Sequence, residues 1–203
     1  MPQVPIELTP VTPAEARSVL ADAWRARFGE PVAPDVLALL LALWDLETAT
    51  GESQFNWNFG NIITTHPDTT PFYIADDSGN LRNFRAFEDI DDGAEGFVSQ
   101  LTRPSRQQWW DGLLTGDPEA FVRALNGQNG GPSYFEADFD RYLNTFLIRW
   151  RRYEVPKALP PSRGQPVPTT PPTTTKKPGP LLAVLAVGSL GFLLFRWARK
   201  ARR

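Results

Sequence analysis

Val36-Leu37-Ala38-Leu39-Leu40-Leu41-Ala42-Leu43-Trp44 runs without a polar break into Asp45-Leu46-Glu47-Thr48-Ala49-Thr50-Gly51. Nine consecutive apolar residues leave a helix with no face for water, so this helix must lie at the centre of a domain. Pro34 opens it, because the missing N–H and fixed φ of proline suit the first helical position. Where the apolar run gives way to the polar turn, Glu47 stands at the boundary between interior and solvent.

Working outward, Thr12-Pro13-Ala14-Glu15 is a capping box with proline at the first helical position. It predicts an amphipathic helix carrying Ala16, Val19, Leu20, Ala23, Trp24 and Phe28, stopped at Gly29. Short β-like runs follow the central helix: Ile62-Ile63, Phe72-Tyr73-Ile74 and Phe84-Arg85-Ala86-Phe87, around the turn Asp77-Ser78-Gly79-Asn80. Further helices are expected near 92–101, 117–125 and 133–153, the last opened by a capping box from Ser133 to Glu136. The expected fold class is α+β, mainly α, with one small β-hairpin.

Composition divides the chain. Residues 1–155 hold 12 basic and 23 acidic side chains, and everything after Val155 holds nine basic residues and no acid. An acidic globule repels phosphates, which argues against nucleic acid as a partner. Residues 156–180 contain nine prolines, cannot bury a core and predict an extended linker. At about 3.1 Å per residue such a spacer reaches roughly 80 Å. Residues 181–198 begin with LLAVLAVGSLGFLLF and end with Arg196-Trp197-Ala198. They predict a single transmembrane helix in a lipid bilayer, with residues 199–203 as a basic tail.

The absence of cysteine removes disulfides, thiolate metal sites and cysteine nucleophiles. The single histidine, His66, lies in the turn-like Thr64-Thr65-His66-Pro67-Asp68 and reads as a solvated turn residue. No metal site and no cofactor is therefore expected, and any catalysis falls to carboxylates. Glu47 is the leading candidate: apolar walls and the negative end of the helix dipole both disfavour its ionised form. A carboxyl that stays protonated near neutral pH suits a glycosidase acid. Behind it, Phe55-Asn56-Trp57-Asn58-Phe59-Gly60-Asn61-Ile62 interleaves rings that stack on sugars with amides that bind hydroxyl and N-acetyl groups.

Glu47-Thr48-Ala49-Thr50-Gly51 followed by Asn58-Phe59-Gly60-Asn61-Ile62 resembles the glucosaminidase branch of the lysozyme superfamily. There a buried helix ends in the catalytic Glu of a Glu-Ser/Thr-x-x-Gly run, and an Asn-x-Phe-Gly-Ile stretch follows. Asn83-Phe84-Arg85-Ala86-Phe87 looks like the family's Phe-Arg-x-Tyr strand, and Gly131-Pro132-Ser133-Tyr134 like its late tyrosine segment. The likeness covers about residues 33–150. It implies a lysozyme-like domain over 1–155, with Glu47 as general acid. It also implies a second carboxylate at Asp76 or Asp77 and a substrate-cleft tyrosine at Tyr134; Asn58, Phe59 and Gly60 of the aromatic–amide stretch, with Tyr73, are the other substrate contacts expected. Glu52, Glu88 and Asp89–Asp92 read as solvated or helix-start charges.

The resulting expectation is a membrane-anchored peptidoglycan hydrolase that cleaves the β-1,4 GlcNAc–MurNAc backbone. A lytic transglycosylase of the same fold and a non-catalytic wall-binding or structural spike module are the alternatives. MPQVPIELTP lacks the basic flank and apolar run of a signal peptide. That admits two settings for the C-terminal anchor, a bacterial envelope or the internal membrane of a bacteriophage particle.

Overall fold

The computed structural model describes residues 3–64, 69–75, 80–128 and 131–154. His66, the turn over 77–79, the linker 156–180, the expected span 181–198 and the tail 199–203 lie outside the described residues. Among those described, no helix is long and apolar enough to cross a membrane.

Among the described residues, six α-helices and one hairpin make up the domain. The first helix, α1 (Pro13–Phe28), begins with Thr12 accepting from the Glu15 N–H while Glu15 reaches back to the Thr12 N–H at 2.8 Å. It ends on Gly29 at φ 76°, the left-handed conformation that glycine adopts without a Cβ clash. The second, α2 (Pro34–Thr48), is the axis of the fold. Ala38 to Trp44 are completely buried, each covered by neighbouring helices. Each such leucine contributes about 1.5–3 kcal/mol relative to an exposed one.

Helices α1 and α6 (Phe139–Trp150) pack along α2, while α3 (Ile90–Leu101) covers α1 and α5 (Pro118–Leu125) bridges α4 (Gln107–Leu114) to α6. The strands β1 (Pro71–Ala75) and β2 (Leu81–Arg85) pair antiparallel, Tyr73 opposite Asn83 and Phe72 stacked on Phe84 at 5.6 Å. The mainly helical α+β architecture with one hairpin is the one expected.

Two expectations need correction. No helix starts at Ser133; α6 starts at Phe139, where Asp138 accepts from the Arg141 N–H at 3.0 Å. The supposed capping box fails because Ser133 Oγ donates to the Phe135 carbonyl and Glu136 reaches Arg82 of the hairpin at 3.7 Å. Residues 131–138 are instead an irregular strap. Helix α4 was not foreseen: it is eight residues long and its start has no side-chain cap.

The chain start is also ordered. Asn56, at φ 49°, accepts from the Glu7 N–H through Oδ1 and donates to the Pro5 carbonyl through Nδ2. That stitches the first residues to the loop behind α2.

Candidate active site

The site is built from the way α2 stops. Ala49, Thr50 and Gly51 take φ values of 51°, 63° and 82°, three successive left-handed residues. For Ala49 and Thr50 that conformation costs about 1–2 kcal/mol each, so neighbours must hold it. Thr48 Oγ donates to the Trp44 carbonyl at 2.7 Å and accepts from the Gly51 N–H at 3.0 Å, capping the helix end from inside. At Gly51 any Cβ would lie 2.0 Å from the Val11 carbonyl oxygen. The Glu-Thr-x-x-Gly spacing is thus a physical requirement of this turn.

Asp45 supplies the rest of the hold. It is completely buried, yet its carboxylate faces Arg149 at 3.1 Å and Arg152 at 3.2 Å, and accepts from Tyr153 at 2.8 Å and Thr50 at 2.7 Å. The pairing clamps the end of α6 to the end of α2. Burial and the Asp45 charge push the Tyr153 hydroxyl far above its ordinary value, so it acts as a fixed donor. Sequence reasoning passed over Asp45 because its arginine partners lie more than a hundred residues away.

Glu47 lies one half-turn on, partly open to solvent. One carboxylate oxygen accepts from Asn61 Nδ2 at 3.0 Å, and the same amide also reaches the Glu47 carbonyl at 2.9 Å. The other oxygen accepts from the Tyr142 hydroxyl at 2.9 Å. Burial raises the Glu47 pKa, and the Asn61 and Tyr142 hydrogen bonds offset part of that rise. No cation is among those partners, so no positive charge offsets the burial, and two neutral donors hold the carboxylate.

Tyr142 is itself fixed by face-to-face stacking on Phe135 of the strap, 3.7 Å between centroids with planes 5° apart. Tyr134, also on the strap, donates to the Gly60 carbonyl at 2.7 Å. Burial first, then the Glu47 charge, lifts the Tyr134 phenol well above its usual value.

The structure places Asn58, Phe59 and Gly60, expected as sugar contacts, in buried positions. Asn58 Oδ1 accepts from the Ile62 N–H at 2.8 Å, and its Nδ2 donates to the Ile62 and Arg85 carbonyls. Phe59 is fully buried between Trp44 and Phe97. Gly60 is buried where a Cβ would lie 2.5 Å from the Phe97 ring. Their work is to shape the loop that delivers Asn61. Tyr73 lies half-buried in β1, opposite Asn83. Asp76 and Asp77 lie outside the described residues.

Asn61 and Tyr142 are the residues missed. Asn61 carried a weak signal as an amide in the aromatic–amide stretch. Tyr142 carried none, because at helical spacing from Phe139 and Phe146 it reads as core. Among the described residues no cluster of His, Cys, Asp or Glu is arranged to hold a metal ion.

No known protein family matches the chain, and no curated protein matches it. Solved structures that resemble it include the glycoside hydrolase domain of FlgJ from Salmonella typhimurium. The two are 18% identical, over 70% of this chain and 88% of that one, with a TM-score of 0.48. A peptidoglycan hydrolase from Sphingomonas sp. A1 is also 18% identical, over 71% of this chain and 94% of that one, with a TM-score of 0.49.

Proposed function

We propose that this protein is a glycosidase that cuts the β-1,4 GlcNAc–MurNAc backbone of peptidoglycan, with Glu47 as general acid. The observation that carries the reading is the setting of Glu47. It is a carboxyl of a partly buried residue, with its pKa raised by burial, fixed at the end of a rigid buried helix and gripped on both oxygens by neutral donors. In the reaction, the Glu47 proton passes to the glycosidic oxygen as the C1–O bond breaks, leaving an oxocarbenium-like sugar and a Glu47 carboxylate. Asn61 and Tyr142 stabilise that carboxylate at the moment it forms. The sugar cation is then trapped in one of three ways: by water that gives its proton to Asp76 or Asp77, by that carboxylate as a nucleophile whose glycosyl ester water later cleaves, or by the sugar's own hydroxyl, whose proton passes to the Glu47 carboxylate, to give an anhydro product. Tyr73 and Tyr134 are proposed to line the substrate side of the site.

The tether belongs to the same proposal. A proline spacer over 156–180 and a membrane anchor over 181–198 would hold the domain near its polymer and raise its effective concentration there. Flotation of the full chain with liposomes, against a chain ending at Val155, tests the anchor. Fractionation of the source cells or particles tells a bacterial envelope from a virus membrane.

The test of the activity is digestion of purified peptidoglycan by the full chain, beside Glu47→Gln, with the products read by mass spectrometry. Cleavage that disappears in the variant is the expected result, and the sugar ends separate hydrolysis from anhydro formation. No cleavage by a correctly folded wild-type chain would overturn the enzyme and leave a wall-binding module.

A further inference from the structure

Arg103 and Arg106 flank the short 3-10 turn Pro104–Arg106 ahead of α4. The region up to Val155 holds 23 acidic side chains against 12 arginines. Among the described residues neither arginine has a carboxylate partner, as is also true of Arg17, Arg27, Arg85, Arg141 and Arg151; what sets Arg106 apart is that its guanidinium is held in place. The two are also close enough for the Arg103 charge, added to burial, to depress the Arg106 pKa. Two like charges side by side in an acid-rich domain carry a cost that a solvated surface pair would avoid by moving apart.

Arg106 cannot move apart, because it is built in. Its guanidinium lies 4.5 Å from the Trp109 ring centre, and Nη1 donates to the Gln100 carbonyl at 3.2 Å. Trp109 is buried and meets the Tyr134 ring edge-on at 5.4 Å. Tyr134 in turn bonds to Gly60, the neighbour of the Asn61 that holds Glu47. Through Trp109 and Tyr134, Arg106 is thus joined by contacts to the loop that holds Glu47. A guanidinium has five N–H donors and stays charged at any working pH. With one donor used, Arg106 keeps a planar fork that matches a carboxylate, and exposed Arg103 adds charge beside it.

We infer that Arg106, assisted by Arg103, forms an anion subsite on the Glu47 side of the domain. It binds a carboxylate carried by the peptide-bearing sugar of the substrate and so selects peptidoglycan over neutral amino-sugar chains. The inference rests on the glycosidase reading for its substrate, but the subsite is measurable without turnover. That carboxylate has two sources: the stem peptide, or the lactyl group once the peptide has been removed.

The test measures binding by the full chain carrying Glu47→Gln, so that nothing is cut. Three labelled glycans are compared: chains with stem peptides, the same chains stripped to the lactyl carboxylate, and neutral N-acetylglucosamine oligomers. The parent should prefer a charged chain by about tenfold, as befits a charge-assisted bidentate contact. Adding Arg106→Gln should abolish that preference, and adding Arg103→Gln should weaken it about threefold as one screened surface charge. Loss confined to stem-bearing chains assigns the peptide carboxylate; loss on stripped chains as well assigns the lactyl group.

A parent without preference overturns the inference, as does an Arg106→Gln defect of equal size on neutral chains. Should Arg106→Gln fail to fold, Arg103→Gln decides, because its exposed side chain supports nothing. Cleavage of the same glycans by the unmutated chain reports the glycosidase reading separately. A charge preference without cleavage would sink that reading and leave the subsite standing.

Discussion

Asp45 and Glu47 stand two residues apart on the last turn of one helix, and their surroundings set them opposite tasks. Asp45 is completely buried, yet two guanidiniums and two hydroxyls meet it. Glu47 is less enclosed, yet an amide and a phenol, both neutral, are its partners. Depth of burial alone therefore does not set their tasks. What differs is whether the partners bring positive charge, since a cation pays for ionisation and a neutral donor only softens its cost. One carboxylate therefore fastens the turn, and the other is the one we propose as the acid.

The comparison can be broken from either side. The largest effect is expected at Glu47: replacing it by Gln should lower the cleavage rate by about 10²–10⁴, the range for loss of a general acid. A melting curve should show this variant folded. Its stability relative to wild type also carries a sign. A raised folded-state pKa gives a contribution that is complete below the unfolded value and lost as pH rises through the folded one. Glu47→Gln should thus gain on wild type between acidic and neutral pH, and melting temperatures across that range check it.

Asp45→Ala should do the opposite, costing about 3–5 kcal/mol of stability in a denaturant titration. Arg149 is the reason, since its side chain is only 16% exposed and would be left without its partner. Arg152, at 48%, can return to water. Gly51→Ala comes next, at about 2 kcal/mol or more, because a Cβ meets the Val11 carbonyl and φ is 82°. A normal melting temperature in that variant would show that the turn can relax, and the geometry argued for Glu47 would lose its support.

What the sequence disclosed follows from the range of each interaction. Helices α1 and α2 were legible to the residue at their starts, because Thr12, Pro13 and Pro34 act within one turn. The turn after Glu47 was legible as a pattern of Thr and Gly, although only the close approach of Val11 explains it. Ser133 and Glu136 had capping-box spacing but found partners elsewhere, at Phe135 and Arg82. A local rule lost there to tertiary contacts. The same limit hid Asp45, Asn61 and Tyr142, whose roles depend on partners 14 to 108 residues away.

The smallest change tests the central claim most directly. Tyr142→Phe removes one neutral donor from the Glu47 carboxylate and leaves the stacked ring in place, at about 1 kcal/mol. Peptidoglycan cleavage should be measured across pH as kcat/KM for wild type and this variant. The account predicts a rate that falls as pH rises through the Glu47 pKa, with the fall displaced to higher pH in Tyr142→Phe. Superimposable limbs in the two proteins would contradict it, because the group that titrates would then not be the carboxyl that Tyr142 holds.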